Sequence, residues 1–140
     1  MRIETRQMFR TNGLIDDFVL FGKAEEYVLF ASLVEKAITS KAFVPMLTES
    51  EITIQIYLSD SDHELFTSLQ NDTNDYYSME DWNNRNYLRV FGCKEVLLEL
   101  SKYLMDLSAR GEGYSYISEY SDNLEYSSLS PEWRLHVEIA

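Results

Sequence analysis

Cysteine, proline and histidine are nearly missing from this sequence: it has one Cys, two Pro and two His in 140 residues. A single cysteine excludes an internal disulfide and any multi-cysteine zinc site. Cys93 follows Gly92 at the expected start of a helix. A helix N-terminus can activate a thiol, but burial as a small apolar residue is the plainer role. The two histidines, His63 and His136, lie far apart in sequence, and His136 falls on the polar side of a strand. Both read more simply as hydrogen-bonded or surface groups than as ligands. No apolar run approaches the roughly 20 residues of a membrane span. No signal-peptide pattern follows Met1 to Arg10, so the expected location is the cytoplasm.

Basic residues are also scarce. Twelve Lys and Arg stand against 24 Asp and Glu, for a net charge of -12. Phosphate and anionic-lipid binding need an excess of bases, so neither nucleic acid nor membrane is an expected partner. The deficit is local. No Lys or Arg occurs between Ala42 and Asn84, and after Arg110 the only base is Arg134. The stretch Met1 to Lys41 is neutral. Solubility alone does not require such a distribution.

Chemistry-bearing motifs are missing too. The chain has no Gly-x-Ser-x-Gly elbow, phosphate loop or dinucleotide glycine pattern. Asp60, Asp62 and Glu64 resemble a fragment of a calcium loop without its glycine or its closing bidentate glutamate. No enzymatic activity, metal or cofactor is expected.

What is present is alternation and helical period. Apolar residues make up 45% of the chain, enough for a core. Phe18 to Gly22 reads as a strand, followed by a helix to Thr39 with Tyr27, Phe30, Ala31, Val34, Ala37 and Ile38 on one face. Tyr87 to Gly92 and a helix from Cys93 to Ser108 repeat the pattern. Phe21-Gly22 overlays Phe91-Gly92, and Tyr27, Val28, Phe30, Val34 and Ala37 overlay Leu97, Leu98, Leu100, Leu104 and Leu107. Gly22 and Gly92 read as tight strand-to-helix turns, and Gly111 and Gly113 as the stop of the second helix. Glu99 and Lys102 on its wet face are spaced for a weak ion pair.

Ile52 to Leu58 and Trp133 to Ile139 alternate as half-buried strands. Ala42 to Leu47, with Pro45 marking a sheet edge, and Tyr114 to Ile117 are their expected partners. Leu124 to Ser128 completes a possible hairpin. Ser61-Asp62-His63-Glu64, a capping box before Leu65, Phe66 and Leu69, predicts a short helix. The expected fold is α+β and a single domain over 1–140. Two strand–helix–strand–strand units, about 15–58 and 86–140, form a mixed or antiparallel sheet with both helices on one face. An acidic linker, 59–85, joins them.

Ten tyrosines stand out, several of them among the acids. Tyr and Trp give large contact area with a polar tip and favour interfaces. The expected partner-binding set is Asp60, Asp62, Asp72, Asp75, Tyr76, Tyr77, Glu80, Asp81, Trp82, Tyr116, Glu119 and Tyr120. The plain alternative for any one tyrosine is a place in the core.

The run Leu88-Arg89-Val90-Phe91-Gly92, then Glu95, Leu98, Leu100 and Leu104, leads into Tyr114-Ser115-Tyr116-Ile117-Ser118. Leu124, Ser127, Ser128 and a strand from Trp133 follow. Over about 87–140 this resembles the small immunity proteins encoded beside bacterial polymorphic toxins, in particular the type designated immunity protein 32. The chain departs from that pattern at Tyr114, Tyr116 and Ser118, where histidine and aspartate are expected. The resemblance implies a cytoplasmic inhibitor of a toxin domain, and such toxins are often basic nucleases; the chain itself is expected to be a monomer or weak homodimer. A self-associating regulatory or adaptor domain is the alternative.

Overall fold

The computed structural model describes residues 1–10, 13–40, 42–50, 52–70, 87–117 and 133–138; for 5–10, 13–17 and 68–70 it describes the backbone alone. Strands β1 (Arg2–Arg10) and β2 (Gly13–Lys23) form a hairpin that leads into helix α1 (Ala24–Thr39). Strands β3 (Val44–Met46), β4 (Thr53–Leu58), β5 (Phe66–Gln70) and β6 (Tyr87–Gly92) follow. Helix α2 (Lys94–Arg110) leads to β7 (Gly113–Tyr116) and β8 (Trp133–Glu138). The class is α+β, as expected. The strands divide into two four-stranded mixed sheets, ordered β1-β2-β8-β7 and β3-β4-β6-β5, rather than one.

The division follows from how the two units interlock. Strand β2 enters the first sheet, but α1 carries the chain across to the second, where β3 and β4 pair. Strand β6 enters the second sheet, and α2 carries the chain back to β7 and β8. The central pair of each sheet is therefore parallel and drawn from both units: β2 with β8, and β4 with β6. Read in reverse, the second sheet is β5-β6-β4-β3, which repeats β1-β2-β8-β7 strand for strand. Burial repeats as well. Tyr27, Phe30, Val34 and Ala37 are buried, as are Leu97, Leu100, Leu104 and Leu107, while Val28 and Leu98 are both exposed. The helices pack on each other. They meet where Ser101 donates from Oγ to the carbonyl of Ala31, its own counterpart in the overlay, at 3.2 Å.

Helix ends obey local chemistry. Glu26 reaches back to the Lys23 N–H at 3.0 Å and also meets the Met1 ammonium. Cys93 is the buried N-cap of α2, and its N–H donates to the Asp62 carbonyl at 2.8 Å. Gly111 ends α2 at φ 81°, a conformation that only glycine takes without strain.

The helix-facing sides of both sheets are sealed. Phe18, Leu20, Ile54, Ile56, Leu88, Val90, Trp133 and Leu135 are all buried. Trp133 packs on Phe18 and Phe30, with ring centroids at 5.1 and 6.3 Å. Its Nε1 donates to Thr67 Oγ1 of β5 at 3.1 Å, which ties the first sheet to the second. On the other flank Ser50 Oγ bonds both the N–H and the C=O of Ile3, at 2.9 and 3.1 Å. The Tyr27 phenol, kept protonated by burial, donates to the His136 carbonyl at 2.6 Å.

Several expectations change. The Ser61–Glu64 capping box starts no helix. Ser59 and Asp62 close a turn, and Leu65 and Thr67 are buried with Phe66 between them half-exposed, the alternation of a strand. Gly22 and Gly92 lie within strands at ordinary φ; a Cβ at Gly92 would stand 2.8 Å from Val96 Cγ1, so close helix approach is what excludes a side chain. Glu99 and Lys102 form no ion pair, and Glu99 Oε2 is buried without a hydrogen-bond partner. The β1 strand was not legible beforehand. Leu124 to Ser128 lies outside the described residues. No described helix is long and apolar enough to cross a membrane.

Candidate functional site

Because the helices cover only the inner sides, each sheet presents an outer side. Strand alternation and register decide what stands there. On the second sheet, Tyr57 of β4, Phe91 of β6 and Phe66 of β5 share one row, since Tyr57 pairs with Phe91 and Phe91 with Phe66. Phe43, just before β3, completes it: its ring lies 5.0 Å from Tyr57 and 5.9 Å from Phe91. Tyr57 and Phe66 each sit 6.2 Å from Phe91. Pro45, Gln55 and Arg89 form the next row.

Arg89 is 9% exposed. Its Nε donates to Gln55 Oε1 at 2.9 Å, and its guanidinium lies 5.1 Å from the Phe43 centroid and 5.3 Å from Tyr87. The charge is thus held down and roofed by rings. Leu47, at the β3 end, is 81% exposed and Phe43 is 37% exposed. None of the described outward side chains of this sheet is a carboxylate, in a chain with 24 acids. Described acids stand in the turn before β5. Asp60 and Glu64 are exposed in the turn that precedes β5, and the chain leaves β5 at Gln70 for the acidic stretch that returns at Tyr87.

The first sheet carries a matching row with different chemistry. Arg2, Phe21, His136 and Tyr114 are neighbours in register across all four strands. Phe21 stacks on His136 at 4.9 Å and His136 on Tyr114 at 5.3 Å, with interplanar angles of 28° and 26°. Arg2 covers the outer face of Phe21 at 4.3 Å, and Arg134 lies 4.5 Å from Tyr114. Every ring in this stack already has a partner on its face. Desolvation, reinforced by Arg134 against the opposing pull of Glu138, holds the His136 imidazole below its ordinary pKa. It therefore stacks as a neutral ring.

Of the residues predicted for partner binding, three are described: Asp60, Asp62 and Tyr116. Asp60 is exposed. Asp62 is half-buried and is used through its backbone, accepting from Cys93 and donating to Ser59. Tyr116 is half-buried on β7, with its ring 5.8 Å from Arg134, so its described charged neighbour is a base rather than an acid. Asp72, Asp75, Tyr76, Tyr77, Glu80, Asp81, Trp82, Glu119 and Tyr120 lie outside the described residues. Tyr27 and Tyr103 belong to the core. The first group, at Asp60, and the anchors of the second, at Gln70 and Tyr87, flank opposite ends of β5, about 16 Å apart for five residues. Between them lies the aromatic surface, which sequence reasoning missed. Its signal was present: Tyr57, Tyr87 and Phe91 are aromatic residues at positions where alternation calls for polar ones.

Among the described residues, no group of His, Cys, Asp or Glu is arranged to hold a metal ion, and the Asp60, Asp62 and Glu64 fragment does not converge. No family model, curated protein or solved structure matches this chain.

Proposed function

We propose that the chain is an immunity protein that binds and neutralises a cognate, basic bacterial toxin domain in the cytoplasm. The outer side of the second sheet is the centre of contact. The observation behind this reading is the aromatic surface around Phe43, Tyr57, Phe66 and Phe91, free of carboxylates among the described residues, with the exposed acids Asp60 and Glu64 in the turn before β5. Interfaces concentrate their energy in a desolvated aromatic centre with a polar rim. Here the acids at Asp60 and Glu64 and the chain's net charge of -12 steer a cationic protein and speed its arrival, while the rings slow its departure. Inhibition by coverage needs no catalytic group in the inhibitor.

The test is neutralisation. The C-terminal domain encoded by the neighbouring upstream reading frame is expressed alone and together with this chain. Growth arrest by the domain alone, relieved by equimolar chain, with association that slows as salt rises, is the expected result. Arrest that the chain does not relieve contradicts the proposal.

A further inference from the structure

We infer that the chain forms a two-fold homodimer by antiparallel pairing of β1 with β1 of a second copy, centred on Gln7. This inference does not rest on the toxin reading. It starts from the four sheet edges. Strand β3 has three residues with Pro45 at its middle, β7 has four and β5 has five. Strand β1 has nine and, among the described residues, pairs only with β2. A long edge either carries charges that discourage pairing or finds a strand whose charges match them.

The backbone fixes which groups that edge offers. The N–H and C=O of Ile3 both bond Ser50, so they point away from β2. The register from Arg2↔Phe21 to Arg10↔Gly13 is unbroken by any bulge. Alternation then turns the N–H and C=O of Thr5, Gln7 and Phe9 away from β2 as well. Strand β8 pairs with β2 only from Phe18 to Lys23. Among the described residues, the hairpin beyond Thr5 is therefore a two-stranded ribbon, which is marginal by itself. A second ribbon beside it makes a four-stranded one.

Charge selects the register. Pairing about Gln7 sets Glu4 opposite Arg10 of the other copy, twice by symmetry, with Thr5 opposite Phe9 and Arg6 opposite Met8. Pairing about Arg6 sets arginine against arginine, and pairing about Met8 sets Arg6 against Arg10. Pairing about Thr5 needs the Ile3 groups that Ser50 already holds. Pairing about Phe9 shortens the contact to the hairpin tip. Unlike charges directly opposite stabilise a strand pair and like charges destabilise it. The register about Gln7 alone gives a full-length pairing free of conflict, on the one strand of an otherwise strongly acidic chain that carries three arginines.

Sedimentation equilibrium of the full chain tests this. The wild type is expected to show a concentration-dependent dimer. Gln7→Pro removes an outward N–H without touching the β1–β2 ladder, and its expected state is a folded monomer. Glu4→Arg is expected to raise the dimer dissociation constant about tenfold, and Glu4→Arg with Arg10→Glu to bring it back to within about threefold. A monomeric wild type, a dimer indifferent to Glu4→Arg, or a double variant no better than Glu4→Arg alone overturns the inference.

Discussion

Trp133→Ala is expected to lower the unfolding free energy by about 3–5 kcal/mol, the range for removing a buried indole from a core. The residue is fully buried, packs on Phe18 of its own sheet and Phe30 of α1, and hydrogen-bonds Thr67 of the other sheet. Neither sheet contains a complete sequence unit, so their junction is where the two halves of the chain are locked. A domain of this size has a total stability of about 5–15 kcal/mol, so the change removes at least about a fifth of it. Trp133→Phe keeps most of the packing and loses the Nε1 bond, at about 1–2 kcal/mol. Urea denaturation followed by circular dichroism measures both. A loss below about 1 kcal/mol for Trp133→Ala would show that the sheets are held elsewhere.

Gly92→Ala is expected to cost about 1–3 kcal/mol by overpacking. The new Cβ meets Val96 Cγ1 at 2.8 Å and Val96 Cβ at 3.2 Å. Val96 is β-branched, buried and fixed in the first turn of α2, so it cannot swing aside. The matching change at Gly22 meets only the Met1 Cε at under 3 Å, the free end of a flexible side chain. Gly22→Ala is therefore expected to cost less than about 1 kcal/mol. Denaturation midpoints of the two variants decide it. Equal costs, or a larger cost at Gly22, would contradict the packing account of these glycines.

Legibility in the sequence depended on how local the determinants were. The helices were readable because Tyr27, Phe30, Val34 and Ala37, and their later counterparts, repeat at helical steps, and Gly111 stops α2 within its own sequence. The alternation of Ile52 to Leu58 and of Trp133 onward marked β4 and β8 for the same reason. The split into two sheets was not readable, because it rests on pairings between residues far apart, such as Phe18 with Trp133 and Ile54 with Leu88. The false helix at Ser61 shows the converse. Its cap pattern was sound locally, but burial of Leu65 and Thr67 between the sheets imposed a strand. Among the binding residues, the pattern of acids drew attention to the flanks, while Phe43, Tyr57 and Phe91 converge only once β3, β4 and β6 are side by side.

Docking on the second sheet's outer side is tested most directly by the affinity of the proposed toxin partner for two variants. Phe43→Ala combined with Tyr57→Ala is expected to weaken binding by about 30-fold or more, as loss of central aromatic anchors does. Tyr114→Ala, on the exposed edge of the first sheet, is expected to leave it within about threefold. Thermal melts confirm that each variant remains folded. Tight binding by the double variant, or loss of binding with Tyr114→Ala alone, would place the contact on the other sheet or away from both.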